Sequence, residues 1–326
     1  MAKNILDRLA EGPVLGDGGY LLELEQRGWV RAGPFTPEVA LTRPEALREL
    51  HVEFREAGAE VLQALTFYAS RDKLATVGLA DRLAELNHAA IRIARQAAED
   101  RCLVAGNLSL TWMYDPRDSA SPDRVRRLFD EQLAVMTDEG VDFIIAETFS
   151  WTGEALLAAE RIRVAHLPAM VTMCFENTDL TPEGHSAADA ARRLADAGTE
   201  IVGINCLRNP ETMLPLMQKV RDAVRGYIAC QPAAFRTPIG KPDFTSLPEF
   251  PTGLEPLQLS RRTMADYALA ARDMGVNYIG ACCGTSAAHI RAMAEVLGKL
   301  PPDSRLWRTG GEHPMSAFEY YGHEKK

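Results

Sequence analysis

The strongest constraint on the fold is a rhythm. Eight short apolar runs recur along the chain, with longer amphipathic stretches between them. They are PVLGD ending at Asp17, AEVLQAL at 59–65, CLVAGNL at 102–108, VDFIIAE at 141–147, PAMVTMCF at 168–175, EIVGINC at 200–206, YIACQ at 227–231 and NYIGACC at 277–283. Each run is continuous rather than alternating, as expected for strands buried on both faces of a parallel sheet. The stretches between them carry helix signals. Residues 80–100 set Leu83, Leu86, Ala90, Ile91 and Ile93 near one face; 123–140 start after Ser121 and Pro122 and stop at Gly140; 187–198 end on Gly198. Strand and helix repeated eight times predict an α/β chain, a single (β/α)8 barrel over residues 1–298. A doubly wound sheet is the second choice.

Two regions break the rhythm. Six prolines between Pro232 and Pro256 predict a long ordered loop after strand seven. Residues 299–326, with Pro301, Pro302, Gly310, Gly311 and Pro314, are expected to form a short C-terminal arm outside the barrel.

Several function classes are excluded. The net charge is −9, so a nucleic-acid or anionic-membrane partner is not expected. No run of 18 apolar residues and no signal-peptide core is present, which makes the cytoplasm the expected location. No GxGxxG follows a strand, and neither a GxxxxGK[ST] nor an HExxH occurs.

In a barrel the chemistry sits at the C-terminal strand ends. There the runs deliver Asp17, followed by Gly18 and Gly19, then Glu147, Cys206, and the adjacent Cys282 and Cys283. Six cysteines are too dilute for a disulfide scaffold. Cys102, Cys174 and Cys230 read as packing residues. Three thiols from strands six and eight instead suggest a catalytic zinc site, which uses three protein ligands and keeps one position open. Such a site suits a substrate thiolate as the exchangeable ligand. Asp17 alone is equally a turn residue and Phe67–Tyr68 equally loop packing, whereas a helix cap is the lesser reading of Glu147. His289 reads as a helix residue rather than a fourth ligand. Trp112, Tyr114 and Trp151 are candidates for a quaternary-ammonium site, although such aromatics are more often core or rim.

These residues carry a resemblance. The segments GDGGYLLELEQRGW (16–29), LTFYASRDKL (65–74), FIIAETF (143–149), VGINC (202–206), SLPEFPTGLEP (246–256) and YIGACCGTSAAHIRAMAE (278–295) resemble the homocysteine S-methyltransferase family, and within it the betaine branch. The resemblance implies zinc on Cys206, Cys282 and Cys283, with homocysteine bound through sulfur. It implies Asp17 and Glu147 at the amino group of homocysteine, Gly18 and Gly19 near its carboxylate, Asn205 in the substrate site, and Phe67 and Tyr68 beside an onium methyl donor. Cys206, Cys282, Cys283 and Glu147 are then the catalytic set. On the donor side, Phe35 stands where mammalian members carry tryptophan, and Thr148 where they carry tyrosine. Glycine betaine is the first donor expected, with dimethylsulfoniopropionate, S-methylmethionine or another betaine as alternatives. The tail is expected to lack the long oligomerisation arm of the mammalian members, although a homo-oligomer is compatible with this reading. The rivals are a metal-dependent barrel hydrolase or lyase, which would show His and Asp ligands, and a non-catalytic thiol- or metal-binding homologue.

Overall fold

The computed structural model describes residues 3–302; most of the expected C-terminal arm lies outside them. Eight parallel strands are present: β1 (Val14–Leu15), β2 (Val61–Gln63), β3 (Leu103–Ser109), β4 (Phe143–Phe149), β5 (Ala169–Met173), β6 (Ile201–Asn205), β7 (Tyr227–Gln231) and β8 (Tyr278–Ile279). They lie in the order β1-β8-β7-β6-β5-β4-β3-β2, each next to its sequence neighbour, with helices between them. The single (β/α)8 barrel read from the apolar rhythm is therefore the fold.

The seam between β1 and β2 has no ladder of its own. Carboxylates bridge it instead. Glu60 accepts from the Leu15 amide at 2.9 Å, and Asp17 accepts from the Gln63 amide at 2.7 Å. One backbone bond, from the Glu60 amide to the Leu15 carbonyl, accompanies them.

The continuous apolar runs have a layered origin. Side chains of one parity, including Leu15, Leu62, Val104, Ile144, Val171, Val202, Ile228 and Ile279, pack outward against the helices. Those of the other parity fill the barrel floor: Val14, Val61, Leu103, Ala105, Phe143, Ile145, Met170, Ile201, Ala229 and Tyr278. The N-terminal helix Ile5–Glu11 stoppers that floor with Ile5 and Leu9. Its start is fixed by a reciprocal cap between Asn4 and Asp7. Farther up the inward-facing positions, polar groups replace apolar ones: Gln63, Asn107, Glu147, Thr172, Asn205 and Gln231. This polar layer marks the ceiling of the core.

The strands differ in detail from the sequence runs. β1 stops at Leu15 and β8 at Ile279, so Asp17 and the cysteine pair sit on the loops that follow. β4 instead runs past Glu147 to Phe149, with a register shift between Ala146 and Phe149 and Thr148 at φ 63°. Such a bulge re-aims side chains near a site. The segment after β7 contains two short 3-10 turns, Phe244–Ser246 and Glu255–Leu257, and a bridge between Phe235 and Gln258. Among the described residues, no helix is long and apolar enough to cross a membrane.

Candidate active site

Above the polar layer lies a cavity of about 370 Å³. Its wall includes Gly18, Gly19, Phe67, Tyr68, Glu147, Thr148, Cys206, Cys282 and Cys283. It also includes Gln63, Asn107 and Gln231 from the strands and Phe244, Phe250 and Pro251 from the proline-rich segment.

The ligand atoms of Cys206, Cys282 and Cys283 all lie within 4.8 Å of one another. The Cys206 and Cys283 sulfurs are 3.6 Å apart. Local backbone geometry produces the convergence. Cys206 and Leu207 both adopt left-handed φ, 56° and 55°, which turns the chain sharply off β6. The Cys206 amide donates to the Gln231 carbonyl at 2.8 Å, and the Cys282 amide to the Pro232 carbonyl at 2.9 Å. The glycine turn after β1 presses against the cysteine pair. A Cβ on Gly19 would sit 2.7 Å from the Cys282 carbonyl oxygen, so only glycine allows the approach. Thr285 ties the two loops together: its Oγ1 accepts from the Gly19 amide at 2.9 Å and donates to the Cys282 carbonyl at 2.5 Å.

The thiol acidities divide in two. Burial pushes Cys102, Cys174 and Cys230 up to about 12, as expected for inert packing thiols. Cys206 goes the other way, held well below the usual thiol value by hydrogen bonds from Cys282 and Cys283. The same hydrogen bonds and the resulting negative charge push Cys282 and Cys283 up. One thiolate forms readily, and each further one needs a neutralising cation. A tetrahedral zinc with sulfur at 2.3 Å spaces its ligands about 3.8 Å apart. The 3.6 Å between the Cys206 and Cys283 sulfurs is close to that spacing, all three sulfurs lie within 4.8 Å of one another, and the donor set is that of a soft divalent metal.

Glu147 lies beneath the cysteines, 7% exposed. It is held by amides: Gln63 Nε2 and Asn107 Nδ2 each donate to Oε1 at 2.6 Å, and Asn205 Nδ2 donates to Oε2 at 3.0 Å. Burial, with Cys206 nearby, raises its carboxyl to about 7. Asp17 is 1% exposed and also raised to about 7 by burial, although the Tyr20 hydroxyl and the Gln63 amide favour the anion. Two buried carboxyls, neither of them ion-paired among the described residues, suit a ligand that brings a positive charge. The buried Oδ1 of Asn107 and Oε1 of Gln231 have no hydrogen-bond partner, so two further acceptors belong to the cavity.

Phe67 and Tyr68 pack edge to face, with centroids 5.0 Å apart, and Trp112 stands 6.4 Å from Tyr68. Tyr114 pairs with Trp151 instead, at 6.0 Å. Thr148 lines the cavity, and its hydroxyl accepts from Asn205 Nδ2 at 2.8 Å. Asn205 and Asp17 lie behind the wall rather than on it. Phe35 is not among the lining residues; its ring lies under the Arg31 guanidinium, 3.7 Å from the centroid. His289 is 5% exposed, with its Nδ1 on the Ser286 cap and its Nε2 at the Leu259 carbonyl, 2.7 Å away. Sequence reading missed the amide layer, Thr285 and Phe244. The amides were recoverable, since Gln63, Asn107 and Gln231 break otherwise apolar runs at positions of one parity.

Comparison with known proteins agrees with this geometry. The sequence profile described as Homocysteine S-methyltransferase matches residues 14–297. The mouse protein named Betaine--homocysteine S-methyltransferase 1 is 43% identical, over 94% of this chain and 80% of its own length. The Pongo abelii protein named S-methylmethionine--homocysteine S-methyltransferase BHMT2 is 40% identical, over 93% and 84%. The metallated homocysteine methyltransferase MmuM from Escherichia coli shares the fold, with a TM-score of 0.70 and 21% identity over 86% of this chain and 95% of that one. With the profile spanning the whole barrel, thiol cluster included, the chain is an S-methyltransferase and belongs to the homocysteine S-methyltransferase family.

Proposed function

We propose that the protein transfers a methyl group from a small onium donor to the sulfur of homocysteine, with zinc held by Cys206, Cys282 and Cys283. The observation that carries this reading is the meeting of those three sulfurs at a cavity that also holds Glu147 and the Phe67–Tyr68 pair. When bound, zinc supplies the Lewis acidity that strips the proton from a thiol and keeps the sulfur nucleophilic at neutral pH.

The chain's own residues do the rest. Glu147, on the cavity wall, receives the substrate ammonium, and Asp17 acts on it from behind the wall; the ammonium charge draws both raised carboxyls toward the anion. The amides of Gln63, Asn107 and Asn205 keep Glu147 in one orientation. Phe67 and Tyr68 offer ring faces to the onium head. In the transfer a carbon–sulfur bond forms as the carbon–nitrogen or carbon–sulfonium bond breaks. Its electron pair leaves with the demethylated donor, and opposite charges cancel. A dry, largely apolar wall favours that less charged transition state, and the cavity aligns sulfur, methyl and leaving group. Free thiols of this kind need a reducing compartment, which supports a cytoplasmic location.

Glycine betaine is the first donor, by likeness to the relatives named for it. S-methylmethionine is the second, by likeness to the relative named for it. A donor panel with homocysteine as acceptor and methionine as product tests both. Turnover with one onium donor supports the proposal. No methionine from any of glycine betaine, S-methylmethionine and dimethylsulfoniopropionate, with zinc loaded, overturns it.

A further inference from the structure

Lys73 is the most deeply buried cation near the cavity, with 0% exposure, on the short helix Arg71–Ala75. Its Nζ donates to the Phe67 carbonyl at 3.1 Å and to Ser109 Oγ at 2.7 Å. Ser109 in turn donates to the same Phe67 carbonyl at 2.5 Å. Ammonium, hydroxyl and carbonyl thus close a triangle beneath the Phe67–Tyr68 segment. The Nζ also lies 4.9 Å from the Phe67 ring centroid, 5.4 Å from Tyr68 and 6.0 Å from Trp112.

A buried ammonium is expensive unless hydrogen-bonded or paired. Among the described residues no carboxylate forms an ion pair with it; Asp72, Glu154 and Glu147 act on it only at longer range. An apolar side chain of similar length would fill the volume without that penalty. What the charge adds is two directed bonds, both ending at or beside one backbone carbonyl. That carbonyl belongs to the first of the two aromatics facing the cavity.

The geometry points to Lys73 as a positioning residue of the donor half-site, which, through the Phe67 carbonyl and Ser109, fixes the aromatic pair against the cavity. The inference rests on the reading of Phe67 and Tyr68 as the donor wall. Two effects of the ammonium oppose each other. Its charge repels an onium donor, whereas its bonds hold the rings in place. The negative ends of the carbonyl and hydroxyl dipoles point at the Nζ and compensate its field locally, so positioning dominates.

The test compares Lys73→Met, Ser109→Ala and Tyr68→Ala in the full zinc-loaded chain, with glycine betaine and S-methylmethionine as probes. Lys73→Met is expected to raise the donor KM about tenfold or more, and Ser109→Ala about threefold, as loss of hydrogen bonds to a charged group predicts. The homocysteine KM and the zinc content stay within about twofold, a split that general destabilisation would not produce. If Tyr68→Ala raises the donor KM while Lys73→Met and Ser109→Ala do not, the role of Lys73 is overturned and the aromatic wall stands. If none of the three moves it, both fall. A lower donor KM in Lys73→Met, or equal losses for both substrates, also overturns the role. If Lys73→Met does not fold, Ser109→Ala decides by the same split.

Discussion

Cys206 and Cys283 are 77 positions apart in the sequence, yet their sulfurs lie 3.6 Å from each other. The contact joins the loop after β6 to the loop after β8, and Cys282 completes the group. Replacing Cys206, Cys282 or Cys283 singly with alanine is expected to lower bound zinc and abolish methionine formation. Cys102→Ala, at a thiol that only donates to the Ala59 carbonyl, should change neither. Metal analysis on the purified variants checks this, and a zinc-replete Cys283→Ala protein would contradict it.

Glu147 takes three amide hydrogen bonds and faces the cavity. Glu147→Gln removes the charge that a substrate ammonium would meet. The homocysteine KM should rise about 10- to 100-fold, the scale of a hydrogen bond to a charged group, with zinc content retained. Steady-state kinetics at fixed donor tests it; an unchanged homocysteine KM would remove Glu147 from the substrate site.

Gly19 touches the cysteine pair through backbone alone. In Gly19→Ala the new methyl would meet the Cys282 carbonyl oxygen at 2.7 Å and the Cys283 Cα at 3.1 Å. The cysteine loop must shift, so zinc affinity should fall by about tenfold, the scale of supporting-residue changes around a metal. Competition against a chelator gives the affinity, and circular dichroism checks that the barrel persists. Equal affinities would mean the loop adapts freely.

Glu154 provides a pH signature away from the site. Its Oε1 accepts from the amide and hydroxyl of Thr111, its buried Oε2 has no partner, and burial raises its carboxyl from 4.5 to about 7. The folded chain therefore holds this proton more tightly than the unfolded chain does. Its stability contribution is intact below pH 4.5 and is lost as pH rises toward 7. Glu154→Gln removes that liability, so the variant should gain on the wild type by on the order of 3 kcal/mol between those limits. Denaturant melts of both proteins at pH 5 and pH 8 measure the difference, and a pH-independent offset would contradict the assignment.

The barrel was legible because both parities of its strands are apolar at the floor, which turns each strand into an unbroken run. The same property hid the ceiling. Gln63 and Asn107 interrupt their runs and Gln231 closes its own, and only their shared inward parity makes them one layer of amides. Cys206, Cys282 and Cys283 stood out because three thiols at two strand ends have few structural explanations. Phe35 was legible only by position in a motif, and the pull of Arg31 on its ring is a tertiary fact that spacing does not carry. Lys73 gave no signal at all, because a lysine in a charged helix reads as surface until its burial is known.

The stopper formed by Ile5 and Leu9 closes the floor of the barrel. Exchange with solvent is thereby left to the opposite rim, where the cavity holding Glu147, Tyr68 and the three cysteines lies. The first helix of the chain thus dictates from which side a reactant arrives, far from any atom that reacts.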